Sequence, residues 1–207
     1  MKGDLQRTGS RARGASSYAL LHIASEPLRR TFLARSMEYL QQLATEWYEY
    51  QGYFVHTDLW VGLEADGSYE CDLEVVAFHP IRRHLLHIEP SLDLLSWKDK
   101  EEHFQIKFAA GRKYLHRMFG NEPRIHFEQL ALVSATEQLP HTIAGAKLVR
   151  VSDLLGEIFA ALSAFPISEW LVPEQWPLLR TLQFVAAYRD QVLSSAKRSE
   201  AAGAGAA

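Results

Sequence analysis

Tyr69-Glu-Cys-Asp-Leu-Glu-Val-Val-Ala-Phe78, then the break His79-Pro-Ile-Arg-Arg83, then His84-Leu-Leu-His-Ile-Glu-Pro-Ser91: this stretch decides how the chain is read. Successive side chains of an extended chain point to opposite faces. Tyr69, Cys71, Leu73, Val75 and Ala77 therefore form one apolar face, and Glu70, Asp72 and Glu74 share the other. The second segment sorts alike, with Leu86 and Ile88 on one side and His87, Glu89 and Ser91 on the other. A hairpin centred near Pro80-Ile81 sets Asp72 opposite Glu89, with Cβ atoms about 5 Å apart. A centre one residue further on sets Asp72 opposite Ser91 and Glu74 opposite Glu89.

Either register gathers several acids on one patch of sheet. Like charges facing each other across strands are unfavourable, so the patch asks for a compensating cation or for carboxylates that titrate high. A hard divalent ion with oxygen ligands meets the first demand. The plainer reading of the same alternation is the solvated side of an amphipathic hairpin.

The surrounding 207 residues are 47% hydrophobic and 23% charged, which fits one soluble domain with enough core to fold without disulfides. That domain is expected over residues 18–195. A net charge of -3 leaves nucleic-acid binding without a global electrostatic footprint, so local charge has to carry it. Cys71 is the single cysteine and lies on the apolar face. It reads as core packing and suits a reducing, cytoplasmic interior. No run of about 18 apolar residues is present, which excludes a membrane helix. Residues 1–17 carry Lys2, Arg7, Arg11 and Arg13 among Gly, Ser and Thr. They read as a disordered basic arm without the apolar core of a secretion signal, with a DNA-touching arm as the minor alternative. Residues 196–207 form a low-complexity tail.

Working outward, Ser36 is a candidate N-cap for a helix to Tyr50 with Met37, Leu40, Ala44 and Trp47 inward and Glu38 and Glu46 off the stripe. Gly52 ends it. Tyr53 to Val61 reads as a strand, and Ala65-Asp-Gly-Ser68 as the turn into the decisive stretch. Ser96 can cap a long helix from Trp97 to Phe119, whose inward stripe is Trp97, Phe104, Phe108, Gly111, Leu115 and Phe119, with Gly120-Asn121 as the stop. Strands follow at Arg124–Ser134 and Lys147–Val151, then a helix from Asp153, a turn between Pro166 and Pro173, and a helix over Leu178–Leu193. The expected class is α/β, a mixed central sheet flanked by helices.

This order, with Asp72 and Glu89 on neighbouring strands, resembles the PD-(D/E)XK superfamily, the restriction-endonuclease-like fold with its αβββαβ core. The resemblance spans roughly Ser36 to Ser134 and leaves the C-terminal helices as additions. It implies that Asp72 and Glu89, with the backbone carbonyl of Pro90, hold Mg²⁺ or Mn²⁺. It also implies a metal-dependent nuclease acting on nucleic acid, DNA foremost, and it admits a homodimer. Glu89-Pro90-Ser91 stands in the place of the family's Glu-x-Lys, so Ser91 replaces the motif lysine and brings no positive charge to the attacking water or the phosphorus.

Some members of the superfamily carry that lysine on the following helix, and this chain offers Lys98, Lys100, Lys107 and Lys113 there. At 100° per residue Lys100 and Lys107 share one flank of the inward stripe and Gln105 takes the other. Lys107, among Ile106, Phe108 and Ala109, is the first choice, against the ordinary alternative of a lysine reaching to water. Glu38 resembles in placement the additional acid of some members, and Glu74 is a spare ligand in the shifted register. His87 shares the face of Glu89, and a lone histidine on a strand reads as a satisfied partner and not a ligand. Lys98, Lys100, Lys107, Arg112, Lys113 and Arg117 on the helix, with Arg82 and Arg83 at the hairpin tip, offer a basic band for a phosphate backbone.

The competing reading is a restriction-endonuclease-like domain that has lost catalysis and serves as a nucleic-acid-binding or protein-interaction module. Ser91 in the lysine's place supports it. No Gly-rich phosphate loop, GxSxG elbow, paired CxxC or HExxH occurs, so nucleotide hydrolysis, triad hydrolysis and zinc protease chemistry lack their signatures.

Overall fold

In the computed structural model, which describes residues 39–91, 96–119, 124–134, 140–191 and 194, helix α1 (Tyr39–Tyr50) buries Leu40, Leu43, Ala44 and Trp47 at helical spacing. Gly52 ends it, with φ at +88° and its N–H donating to Glu49 O at 2.9 Å. Ser36, Met37 and Glu38, the arm over 1–17 and the tail over 196–207 lie outside the described residues.

A meander follows. Strands β1 (Phe54–Leu63), β2 (Tyr69–His79) and β3 (His84–Ser91) pair antiparallel in turn. The β1–β2 turn closes as its residues suggest: Gly67 has φ at +83°, and Asp66 Oδ1 accepts from Ser68 N–H and Oγ–H. Across the β2–β3 hairpin Val75 pairs with Ile88 and His79 with His84. The centre therefore falls one residue beyond Pro80-Ile81, which is the shifted register. Arg83, at φ +51°, closes the tip.

Helix α2 (Trp97–Met118) then leads to β4 (His126–Val133), which runs parallel to β3. Ser96 caps α2 by accepting from Asp99 N–H. Strand β6 (Ala146–Arg150) lies parallel to β4, and the short β5 (Thr142–Ile143) pairs antiparallel with β6. The result is a six-stranded mixed sheet in the order β1-β2-β3-β4-β6-β5. Helices α3 (Val151–Leu162) and α4 (Pro177–Ala187) complete the domain. Leu154, Ile158, Leu162 and Leu179 from these two join Leu40 and Ala44 of α1 over Val75, Ala77, Leu86, Ile88 and Leu130. Phe104, Phe108, Ala110 and Leu115 of α2 pack on the opposite face.

Four details depart from the sequence reading. The apolar face of β2 divides: Val75 and Ala77 pack with α1, Cys71 and Leu73 with Ala110 and Leu115 of α2, and Tyr69 is exposed. The cause is Asp58, which takes a left-handed φ of +53° opposite Glu74 and interrupts the ladder between Thr57↔Val75 and Leu59↔Leu73. Gln41, buried on α1, holds the kink by donating to Asp58 Oδ1 and Glu74 O, both at 3.0 Å. Trp97, expected on the inward stripe, is exposed in the first turn of α2. Strand β5 was not expected, since its turn is Ala144-Gly145 at φ +50° and +79° and alanine is no signal for that conformation. Helix α4 is interrupted at Tyr188 and helical again over residues 189–191, while Leu193 lies outside the described residues.

Candidate metal centre

Glu89 is fully buried near the end of β3, past the last β2–β3 pair, Val75↔Ile88. Its two oxygens are treated differently. Oε1 accepts from His87 Nε2 at 2.6 Å and from the Glu74 backbone N–H at 3.1 Å. Oε2 is buried and has no hydrogen-bond partner. Leaving a carboxylate oxygen bare in the interior costs several kcal/mol unless a cation stands by.

The cation present is Lys107. Its ammonium reaches over from α2 and donates to Asp72 Oδ1 at 2.9 Å and to Asp72 O at 2.8 Å, and lies 3.8 Å from Glu89 Oε2. Asp72 Oδ1 and Glu89 Oε2 thus both lie within 4 Å of one nitrogen, while Cys71 and Leu73, which flank Asp72, are the residues of that segment packed against α2. Burial alone would push Lys107 down, but Glu89 and Asp72 outweigh it and hold its ammonium above the usual lysine value. The ordinary alternative, a lysine snorkelling to water, does not describe a side chain 9% exposed.

His87 orients Glu89 through a chain of contacts that the sequence did not reveal. Arg112 Nη1 donates to Gln129 Oε1 at 2.7 Å, and the Gln129 amide nitrogen bonds to Phe108 O and His87 Nδ1, both at 3.0 Å. With Nδ1 accepting, His87 carries its proton on Nε2 and donates it to Glu89. Gly111 admits this ring against α2: a Cβ there would lie 2.2 Å from His87 Nδ1. Gly111 had been read as an ordinary position of the inward stripe, and a glycine in a buried helical stripe was the available signal.

The remaining candidates disperse. Glu74, Glu89 and exposed His103 each offer a ligand atom within 4.8 Å of one another, so the shifted register does bring Glu74 to the site, with a histidine that was not singled out. Ser91 is buried on β3 beside Val133, and Pro90 pairs with Leu132. Lys100 is half-buried and Gln105 exposed. Glu38 lies outside the described residues.

The basic band is thinner than expected. Lys107 and Arg112 are turned to internal partners, and Lys113 is bound to Glu70 at 2.6 Å. The Lys113 hydrogen bond, then that from Tyr114, holds the Glu70 carboxyl below its ordinary value. Arg83 is separated from Glu89 by about 20 Å of strand, so the tip arginines cannot serve a phosphate held at the acids. Cys71 is buried and its thiol is pushed up by burial, in keeping with packing and not nucleophilic chemistry.

Hard oxygen donors from Glu89 and Glu74, with one buried oxygen left bare and the His103 imidazole beside them, fit a divalent cation. Compared with protein-family models, curated proteins and solved structures, the chain finds no match.

Proposed function

We propose that this protein is a metal-dependent nuclease of the restriction-endonuclease-like fold, hydrolysing phosphodiester bonds in nucleic acid, DNA foremost. The observation that carries the reading is the Lys107 ammonium touching Asp72 and standing beside the bare Oε2 of Glu89. It supplies from α2 the positive charge that Ser91 cannot.

Asp72 and Glu89, with the Pro90 carbonyl and Glu74 beside them, would hold Mg²⁺ or Mn²⁺. When bound, the ion supplies Lewis-acid polarisation of a phosphoryl oxygen and lowers the pKa of a bound water. The chain's own part is positioning and charge. His87 and the Glu74 N–H fix one oxygen of Glu89 and leave the other to face Lys107. Lys107, kept protonated by the two acids, donates hydrogen bonds and positive charge to a phosphoryl group as charge develops on it. It cannot act as a general base near neutral pH.

A second reading, an inactive nucleic-acid-binding or protein-interaction domain, is favoured by the same 2.9 Å contact, since Lys107 already neutralises Asp72 without an ion. Incubation with single-stranded, double-stranded and branched DNA and with RNA, in Mg²⁺ or Mn²⁺ against EDTA, separates the two. The nuclease reading expects metal-dependent cutting of at least one substrate, reduced by at least about 100-fold in Asp72→Ala. A protein that binds DNA and cuts none of these substrates is the inactive domain.

A further inference from the structure

We propose a second metal site, on the far face of the sheet, in which His84, His126 and Glu128 bind one transition-metal ion of the Zn²⁺ type. The inference does not depend on the nuclease reading.

His84 opens β3 and pairs with His126, which opens β4, and Glu128 follows two residues on along β4. The alternation that turns His87 and Gln129 toward α2 turns these three the other way, with Leu86 and Leu130, toward α1 and α3. The imidazoles stack with centroids 4.9 Å apart, and each of the three residues offers a ligand atom within 4.8 Å of the others.

Three features make this more than a polar cluster. His84 Nε2 is buried and faces Glu128 Oε2 at 3.4 Å, longer than a good N–H···O hydrogen bond. That separation is the edge of a tetrahedron, because ligands about 2.1 Å from a zinc ion lie about 3.4 Å from one another. The other ring nitrogen, Nδ1, is held by the Tyr53 hydroxyl at 2.8 Å, the kind of outer contact that fixes a ligating histidine. Finally, His84 and Glu128 line a cavity of about 370 Å³ together with Tyr48, Tyr53, Asp153 and Glu157. Its acids favour a cation, and its open side leaves the fourth coordination position to water or a small ligand. Lys147 stands 3.8 Å from Glu128 Oε1 but is 65% exposed, so it is free to swing away. Two imidazoles and one carboxylate are the donors of a borderline-soft metal, richer in nitrogen than the set at Glu89 with its two carboxylates and one imidazole.

The test uses the full chain without a polyhistidine tag, stripped by chelator, with Zn²⁺ uptake measured by equilibrium dialysis and Co²⁺ absorption reporting tetrahedral nitrogen ligation. Wild type and His103→Ala, which removes the imidazole near Glu89, are expected to bind the tightest equivalent with the same affinity. His126→Ala and Glu128→Gln, both on accessible side chains, are expected to bind at least tenfold more weakly. Retention of a wild-type circular dichroism spectrum and melting curve shows that the fold is kept. No saturable Zn²⁺ uptake, uptake unchanged by His126→Ala, or uptake lost in His103→Ala would each overturn the site.

Discussion

Glu89 sets its carboxyl in the interior, where charge is expensive, with two donors on one oxygen and none on the other. Such an arrangement trades stability for readiness to bind a cation. Glu89→Gln keeps the shape and removes the buried charge. It is expected to lower metal-dependent cleavage at least about 100-fold while leaving the urea midpoint unchanged or higher. A fall in both rate and stability would instead give Glu89 a purely structural role. Lys107 has the opposite sign. Its folded-state pKa is raised, so its contribution to stability is complete below the ordinary lysine value near 10.5 and is lost as pH rises through the raised one. The cleavage rate should therefore show no Lys107-dependent decline below about pH 10.5, measured as the ratio of wild type to Lys107→Ala across pH 7 to 10. A ratio that drops below pH 9 contradicts a protonated Lys107.

Helix α2 and strand β2 show how far the sequence could be read. The N-cap at Ser96, the inward Phe104, Phe108 and Leu115, and even Lys107 follow from spacing along one helix, which is local information. The hairpin register did not follow, because both centres satisfied the alternation and the choice lay in the backbone of the tip at Arg83. The split of the apolar face did not follow either, since an Asp tolerates a left-handed conformation but within a strand pattern does not by itself announce one. His87, Gln129 and Arg112 come from three elements, so no pattern within one segment could join them. Two glycines test the packing of α2. Alanine in a helix interior is favoured over glycine by about 1 kcal/mol, but at Gly111 its Cβ would press into the buried His87 ring. Gly111→Ala should cost about 1–3 kcal/mol in urea unfolding, while Gly156→Ala on α3, with open space around its Cβ, should gain up to about 1 kcal/mol. Equal effects at the two positions would show that His87 is not held against α2. Gln41→Leu should cost about 1–3 kcal/mol and slow cleavage as well, because it frees the kink that carries Glu74.

At the scale of the molecule, the mixed sheet keeps two chemistries on opposite faces: oxygen donors with a lysine under α2, and two histidines with a glutamate toward α1 and α3. Among the described residues no helix is long and apolar enough to cross a membrane. Element order from α1 to α4 was legible except for the two-residue β5, because each longer helix and strand announces itself by its own period. The central claim, that Asp72 and Glu89 share one divalent ion with Lys107 beside it, is tested most directly by soaking crystals of the protein in Mn²⁺ and collecting anomalous diffraction. The account predicts one peak within coordination distance of oxygens from both Asp72 and Glu89, with the Lys107 ammonium adjacent. A map without that peak, in which Lys107 still joins the two carboxylates, would contradict it.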